Sequence, residues 1–403
     1  MNIISGGVCA AKGYTAAGVH CGIRKNKSKN DIALIFSEKK ANTAAVYTTN
    51  LVKGAPLTVT KKHISDGQAQ AIICNSGNAN TCNANGIEVA EKMCDLTANE
   101  LGINAEDVVV ASTGVIGQPL DIEPIKTGIP MLKAQLGNNS LQAAYGIMTT
   151  DTKVKEIAVS FEIGGVECKI GGIAKGSGMI HPDMATMLVF ITTDCAISSN
   201  LLQKALSSDI KDTFNMVSVD GDTSTNDMVV VMANGMAGNK EITEENDDFA
   251  SFMKALNTIT VYLCRCIAAD GEGATKLLEC KVTGAKDDFT AKKVAKSIIC
   301  SSLTKAAMFG ADANWGRVLC AIGYAKCDGD VNKVDVAFKS NKGVIEVCKE
   351  GSGIEFSEEK AKEILLENEI EILVTLGDGN ASSTAWGCDL TYDYVKINGD
   401  YRT

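Results

Sequence analysis

Proline is scarce in this chain of 403 residues, and it vanishes after Pro182. All five prolines stand at or before that position, so the second half can run helices and strands without the breaks proline imposes. Long apolar runs are missing too, and none approaches the roughly 20 residues that a bilayer-spanning helix needs. There is no basic block, and the net charge is −10, which argues against nucleic acid as a partner. Histidine occurs three times, at His20, His63 and His181, far apart in sequence. The fifteen cysteines contain no C-x-x-C pair, the nearest two being Cys264 and Cys266. Zinc sites and disulfide frameworks carry short paired spacings. These cysteines therefore read as reduced small hydrophobes, with no metal site. Met1-Asn-Ile-Ile-Ser-Gly-Gly7 has no basic flank leading into a sustained apolar region, so no secretory signal is visible and a cytoplasmic location is the expectation.

What is present suits a globular protein. The hydrophobic fraction is 45%, and the length exceeds one typical core, so two or three packed units are expected. Apolar runs of strand type occur at Ile32–Ile35, Gln70–Cys74, Asp107–Ala111, Ile157–Phe161, Met187–Ile191 and Met228–Met232. Helical patterns occur at Ile87–Leu101, Asp248–Ile267 and Glu358–Leu366. In the first of these Ile87, Ala90, Met93, Cys94, Leu96 and Leu101 fall near one stripe. The elements mix without a clean βαβ rhythm. That predicts an α+β (mixed α/β) layered fold rather than a dinucleotide-binding one.

The segment richest in chemistry runs from Lys175 to Leu188, Lys-Gly-Ser-Gly-Met-Ile-His-Pro-Asp-Met-Ala-Thr-Met-Leu. A glycine-rich turn leads into Ala185-Thr186 and then into an apolar strand. A threonine often opens a core strand for purely structural reasons. If the bond before Thr186 were cut, however, its hydroxyl and new α-amine would form a nucleophile and a base on one residue.

Eight further segments join this one. They are Ala45-Val-Tyr-Thr-Thr-Asn50, Cys74-Asn-Ser-Gly-Asn-Ala-Asn80, Ala111-Ser-Thr-Gly-Val-Ile-Gly117 and Met148-Thr-Thr-Asp-Thr152. After them come Val219-Asp-Gly-Asp-Thr-Ser-Thr-Asn-Asp227, Asp270-Gly-Glu-Gly-Ala-Thr275 and Asp312-Ala-Asn-Trp-Gly-Arg317, and the chain closes with Ile397-Asn-Gly-Asp-Tyr-Arg-Thr403. Singly each looks like an ordinary loop. Together and in this order they resemble the ornithine acetyltransferase family, the glutamate N-acetyltransferases of arginine biosynthesis.

The resemblance implies a layered α-β-β-α sandwich over residues 1–280 and a smaller α/β unit over 281–403, whose tail returns to the site. It implies self-cleavage between Ala185 and Thr186 into two chains that associate as a heterotetramer of two α and two β chains. Acetyl would pass from N2-acetylornithine to glutamate through an acetyl ester on Thr186. The α-amine of that residue, with a pKa of about 8, would shuttle the proton. Thr113 and Gly114 would form the oxyanion hole. Thr152, Lys175, Thr186, Glu272, Asn398 and Thr403 would bind substrate, and no metal is implied. No cofactor is needed, although bifunctional members of the family also take acetyl-CoA as donor. Two departures stand out: Asp183 where many members have asparagine, and no proline within Ser301–Ala306. The alternatives are an aminopeptidase or amidase with an N-terminal nucleophile, in which water replaces the acceptor, and an uncut binding homologue without activity.

Overall fold

The computed structural model describes residues 1–181 and 187–399. Strands β1 (Asn2–Ile4), β2 (Tyr14–Val19), β3 (Ile32–Tyr47), β4 (Gln68–Asn78) and β5 (Val108–Val115) come first. Next are β6 (Lys155–Ile163), β7 (Val166–Lys175), β8 (Leu188–Thr193), β9 (Val217–Ser218) and β10 (Met228–Ala233). The remainder adds β11 (Leu277–Ala285), β12 (Asp335–Ser340), β13 (Gly343–Lys349), β14 (Ser352–Gly353), β15 (Glu369–Thr375) and β16 (Ala381–Cys388). Between them lie helices α1 (Ala55–His63), α2 (Gly86–Leu101), α3 (Ile122–Ala134), α4 (Ser140–Ile147), α5 (Ser199–Asp209) and α6 (Asp247–Ala269). The last five are α7 (Asp288–Cys300), α8 (Ser302–Phe309), α9 (Trp315–Gly323), α10 (Glu358–Leu365) and α11 (Tyr392–Asn398).

The strands form two mixed sheets. One has the order β1-β6-β7-β8-β10-β3-β4-β5, with β2 also paired to β3; the other has the order β14-β13-β12-β15-β11-β16-β9. Most neighbours are antiparallel, while β4/β5, β8/β10, β11/β15 and β9/β16 run parallel. The expected mixed architecture is what is seen. All six residues of both β8 and β10 are buried, which is why each reads as an unbroken apolar run.

Helix α6 sits between the sheets, touching β6 and β7 of one and β11 and β16 of the other. Its stripe Phe252, Leu256, Ile259, Leu263 and Ile267 is fully buried. Phe252 meets Phe161 of β6 edge to face at 6.2 Å. Each such side chain contributes roughly 1.5–3 kcal/mol by leaving water. On the opposite face of the first sheet, Ala143, Ala144 and Ile147 of α4 share one core with Phe190 and Val230, α4 packing on β2, β3, β4 and β7. A third cluster closes the β4/β5 end under α2 and α3.

Two sequence readings change in detail. Ile87 is exposed, and the buried stripe of α2 runs through Val89, Ala90, Met93, Cys94 and Ala98. The run at Ile32–Ile35 opens a strand of 16 residues. Its register on β4 slips between Phe36 and Ala41, and the exposed Glu38, Lys39 and Lys40 mark the slip. Beyond it, β3 pairs with β10. Cys94, Cys264 and Cys280 occupy core positions, and all fifteen cysteines are free. Among the described residues no helix is long and apolar enough to cross a membrane.

Candidate active site

Three strand ends set the site. Lys175, the last residue of β7, stands opposite Leu188, and Leu188 stands opposite Met228. Lys175 and Leu188 therefore line one cleft with Met187 and Asp227. Thr113, Gly178, Ser224 and Asn226 complete its wall.

Thr113 and Gly114 close β5, paired with Ser76 and Gly77 of β4. Gly114 has φ +133°, and a Cβ there would lie 2.3 Å from the Gly77 carbonyl carbon. Only glycine permits that approach, so the motif reports a backbone constraint as well as a candidate donor.

The loop after β9 ties the cleft together. Asp220 accepts from the Met179 and Ile180 amides at 2.7 and 2.8 Å, and Thr223 donates to the His181 carbonyl at 2.7 Å. Thr48 donates to the Ser224 carbonyl and Asn50 to that of Thr223, at 2.8 and 2.9 Å. Asn226 donates to the carbonyls of Ala79 and Ser112 at 2.6 and 3.0 Å and accepts from the hydroxyls of Thr81 and Thr225, each at 2.6 Å. Segments 45–50, 74–80, 111–117, 175–181 and 219–227 thus form one hydrogen-bonded unit. Asn226 was not singled out from sequence; its position in the Thr-Asn-Asp closure of a recognised segment was the available signal.

A second unit holds Thr152 and Glu272. Lys155 is 1% exposed, and its ammonium contacts Asp151 at 2.7 Å and Asp270 at 2.5 Å. The Thr152 hydroxyl donates to Asp270, as does the Thr152 amide, at 3.1 Å. Asp151 also accepts from the Gly176 amide at 2.7 Å. The Ser177 hydroxyl donates to the Asp270 carbonyl at 2.6 Å, and the Glu272 amide donates to the Ser177 carbonyl at 2.9 Å. Burial alone would push the Asp151 carboxyl up, but the Lys155 and Lys175 ammoniums outweigh it and hold the group below the usual carboxylate range. Burial would likewise pull the Lys155 ammonium down, and Asp151 and Asp270 reverse this.

Glu272 connects the two units. Its carboxylate lies over Gly178, where a Cβ would come within 2.3 Å of Oε2. Asn398, at the end of α11, donates to Glu272 Oε2 at 2.8 Å. The structure thus brings together Thr113, Gly114, Thr152, Lys175, Glu272 and Asn398. Ala185, Thr186 and Thr403 lie outside the described residues. The segment 312–317 does not join them: Asn314 caps α9, and Arg317 donates to the Leu303 carbonyl at 2.8 Å. Among the described residues no group of three or more His, Cys, Asp or Glu side chains is placed to hold a metal ion.

Replacing Lys155 with methionine should cost about 3–5 kcal/mol, because two buried carboxylates lose their counter-charge. Denaturant unfolding of the two proteins measures this. The wild type should lose stability as pH falls below about 4, because the unfolded chain then takes up a proton at Asp151 that the folded site, with its two ammoniums, still keeps off. Lys155→Met should gain stability on acidification from neutral pH, since burial now favours the protonated acids.

Comparison with known proteins agrees with the sequence reading. The ArgJ family model matches residues 15–403. The arginine biosynthesis bifunctional protein ArgJ of Caldanaerobacter subterraneus subsp. tengcongensis is 51% identical over 405 residues, covering 100% of both chains. Its namesake from Listeria monocytogenes serovar 1/2a is 49% identical, again over 100% of both. A crystal structure of arginine biosynthesis bifunctional protein ArgJ from Bacillus halodurans matches with a TM-score of 0.51 and 52% identity, covering 53% of this chain and 99% of its own. This chain belongs to the ArgJ family.

Proposed function

We propose that the protein is a glutamate N-acetyltransferase of arginine biosynthesis that moves acetyl from N2-acetylornithine to glutamate through Thr186. The observation that carries this reading is the meeting of Thr113, Lys175, Thr152, Glu272 and Asn398 from five separate segments of a chain matched throughout by ArgJ relatives.

The chemistry follows from the groups. The Thr186 hydroxyl attacks the acetyl carbonyl carbon while its α-amine takes the hydroxyl proton. The Thr113 and Gly114 end of β5 lies on the cleft wall, where donors would meet the developing oxyanion. The carbon–nitrogen bond then breaks, the amine returns the proton to the leaving ornithine nitrogen, and an acetyl ester remains. The α-amine of glutamate attacks that ester, and the threonine oxygen leaves with a proton. The Lys175 ammonium suits an amino-acid carboxylate, and the Glu272 carboxylate suits the side-chain ammonium of ornithine. Both are 8% exposed, so each charge acts with little screening by solvent.

The reading includes cleavage between Ala185 and Thr186. In its favour, the Bacillus halodurans chain is matched almost completely yet spans just over half of this sequence, about the share made up by residues 186–403. Pairing of β8 with β7 and of β10 with β3 would keep the two pieces together. The reading extends to the α-β-β-α layering, a C-terminal unit over 281–403, a heterotetramer of two copies of each piece, a cytoplasmic location and acetyl-CoA as a second donor. The gathering of β11 to β16 in one sheet supports the separate unit.

Incubation with acetylornithine, with and without glutamate, tests the function. Acetylglutamate should form only with both substrates, double-reciprocal lines should be parallel, and acetylornithine alone should leave an acetyl group on a fragment beginning at Thr186. Acetate in place of acetylglutamate would mean a hydrolase, and one uncut inactive chain would mean a binding homologue. The tail supplies a separate test. Extending the chain beyond Thr403, or deleting Tyr401–Thr403, should lower kcat/KM by about ten- to hundredfold while cleavage proceeds, the value of one charge-assisted hydrogen bond.

A further inference from the structure

Asp227 lines the cleft beside Thr113 and Lys175, and the acetyl transfer makes no use of it. Its side chain is buried at 3% exposure, and Oδ2 has no hydrogen-bond partner among the described residues. A carboxyl oxygen buried unpaired is costly, so the position calls for a reason.

Register supplies the geometry. Asp227 directly precedes β10, the Met228 amide donates to the Met187 carbonyl at 3.0 Å, and Met228 faces Leu188. Asp227 therefore stands across from Met187, the residue that follows Thr186 in sequence. Burial pushes its carboxyl well up, and three groups oppose that: the Lys175 ammonium at the end of β7, the Ser224 hydroxyl and the Met187 amide. Toward β3, Thr48 meets only the backbone carbonyl of Asp227, its amide donating at 3.0 Å.

We propose that Asp227 is a positioning residue for the nucleophile, its open carboxyl oxygen receiving the α-ammonium that cleavage before Thr186 creates. The inference rests on the functional reading above. Before the cut, residue 186 has an uncharged amide nitrogen and no basic amine, and burial favours the neutral form of the Asp227 carboxyl. Attack of the Thr186 hydroxyl on the Ala185 carbonyl carbon breaks the peptide C–N bond, its proton passing to the nitrogen, and gives an ester with a free amine. Water then opens that ester to the Ala185 carboxylate and the Thr186 hydroxyl, with one proton released to solvent. The Asp227 O–H bond then breaks as an ammonium N–H bond forms, so a neutral acid and a neutral amine become an ion pair. The pair has no net charge, and the cleft gains no uncompensated ion. The carboxylate fixes the direction of the amine toward the threonine hydroxyl. It also raises the pH at which the amine becomes a free base.

Asp227→Asn keeps the shape and removes the charge, and Asp227→Glu restores the charge. Asp227→Asn should still be cut into the same two fragments, with kcat/KM lower by about tenfold. The acid limb of its pH profile should move to lower pH by about one unit, because the amine has lost its anion. Asp227→Glu should keep the wild-type limb. Carbamylation of the Thr186 amine by cyanate, followed across pH by peptide mass spectrometry, should show the same displacement without relying on turnover. An unmoved limb and an unmoved carbamylation midpoint in Asp227→Asn would overturn the proposal. So would an uncut Asp227→Asn chain, which would assign the residue to the cleavage step. If the unmodified protein makes no acetylglutamate, the functional reading fails; if it does and the Asp227→Asn profile is unmoved, this inference alone fails.

Discussion

The site depends on a buried cluster of charge. Lys155 stands between Asp151 and Asp270, all three nearly removed from solvent, and Lys175 acts on Asp151 from the neighbouring strand end. Two carboxylates and two ammoniums balance there. Buried ion pairs often give little net stability, because the cost of stripping water rivals the Coulomb gain. Here the pair also fixes geometry. The carboxylate oxygens that meet Lys155 also accept from the backbone amides of residues 152 and 176. The segments carrying Thr152, Lys175 and Glu272 take their positions from it, although 120 residues separate the first from the last.

The loop at 219–227 plays the complementary part with neutral groups. Asn226 uses both ends of its amide, donating to two carbonyls and accepting from two hydroxyls. Because its partners come from the loop after β4, the end of β5 and its own loop, a small shift of any of these breaks bonds in a dry place, where the loss is largest. The cleft wall is stiff for this reason. Among the buried side chains of this loop, Asp227 has an oxygen without a partner in the described residues.

How much of this was legible in the sequence varies by mechanism. Runs such as Val108–Ala111 and Met228–Met232 revealed strands because both faces of those strands are covered. The length of β3 was hidden because Glu38, Lys39 and Lys40 interrupt its apolar pattern at the point where it changes partners. Helices α7 to α9 went unread. Most of the recognised segments meet around one cleft, though 312–317 serves a helix cap instead. Lys155 had no signature at all. A lysine opening a strand resembles a solvated residue until Asp270, 115 residues later, is folded against it.

The order of strands in the first sheet bears on when a cut could occur. Strands β8 and β10 lie between β7 and β3, so strands that follow residue 186 are inserted among strands that precede it. Without them the remaining strands would form two separate ribbons, each with a bare apolar edge open to aggregation. On the proposed cleavage, neither piece could be matured first and supplied later to the other. The intact chain would have to close its sheet before the bond is broken, and the two pieces would then stay in strict one-to-one ratio because they had once been a single molecule.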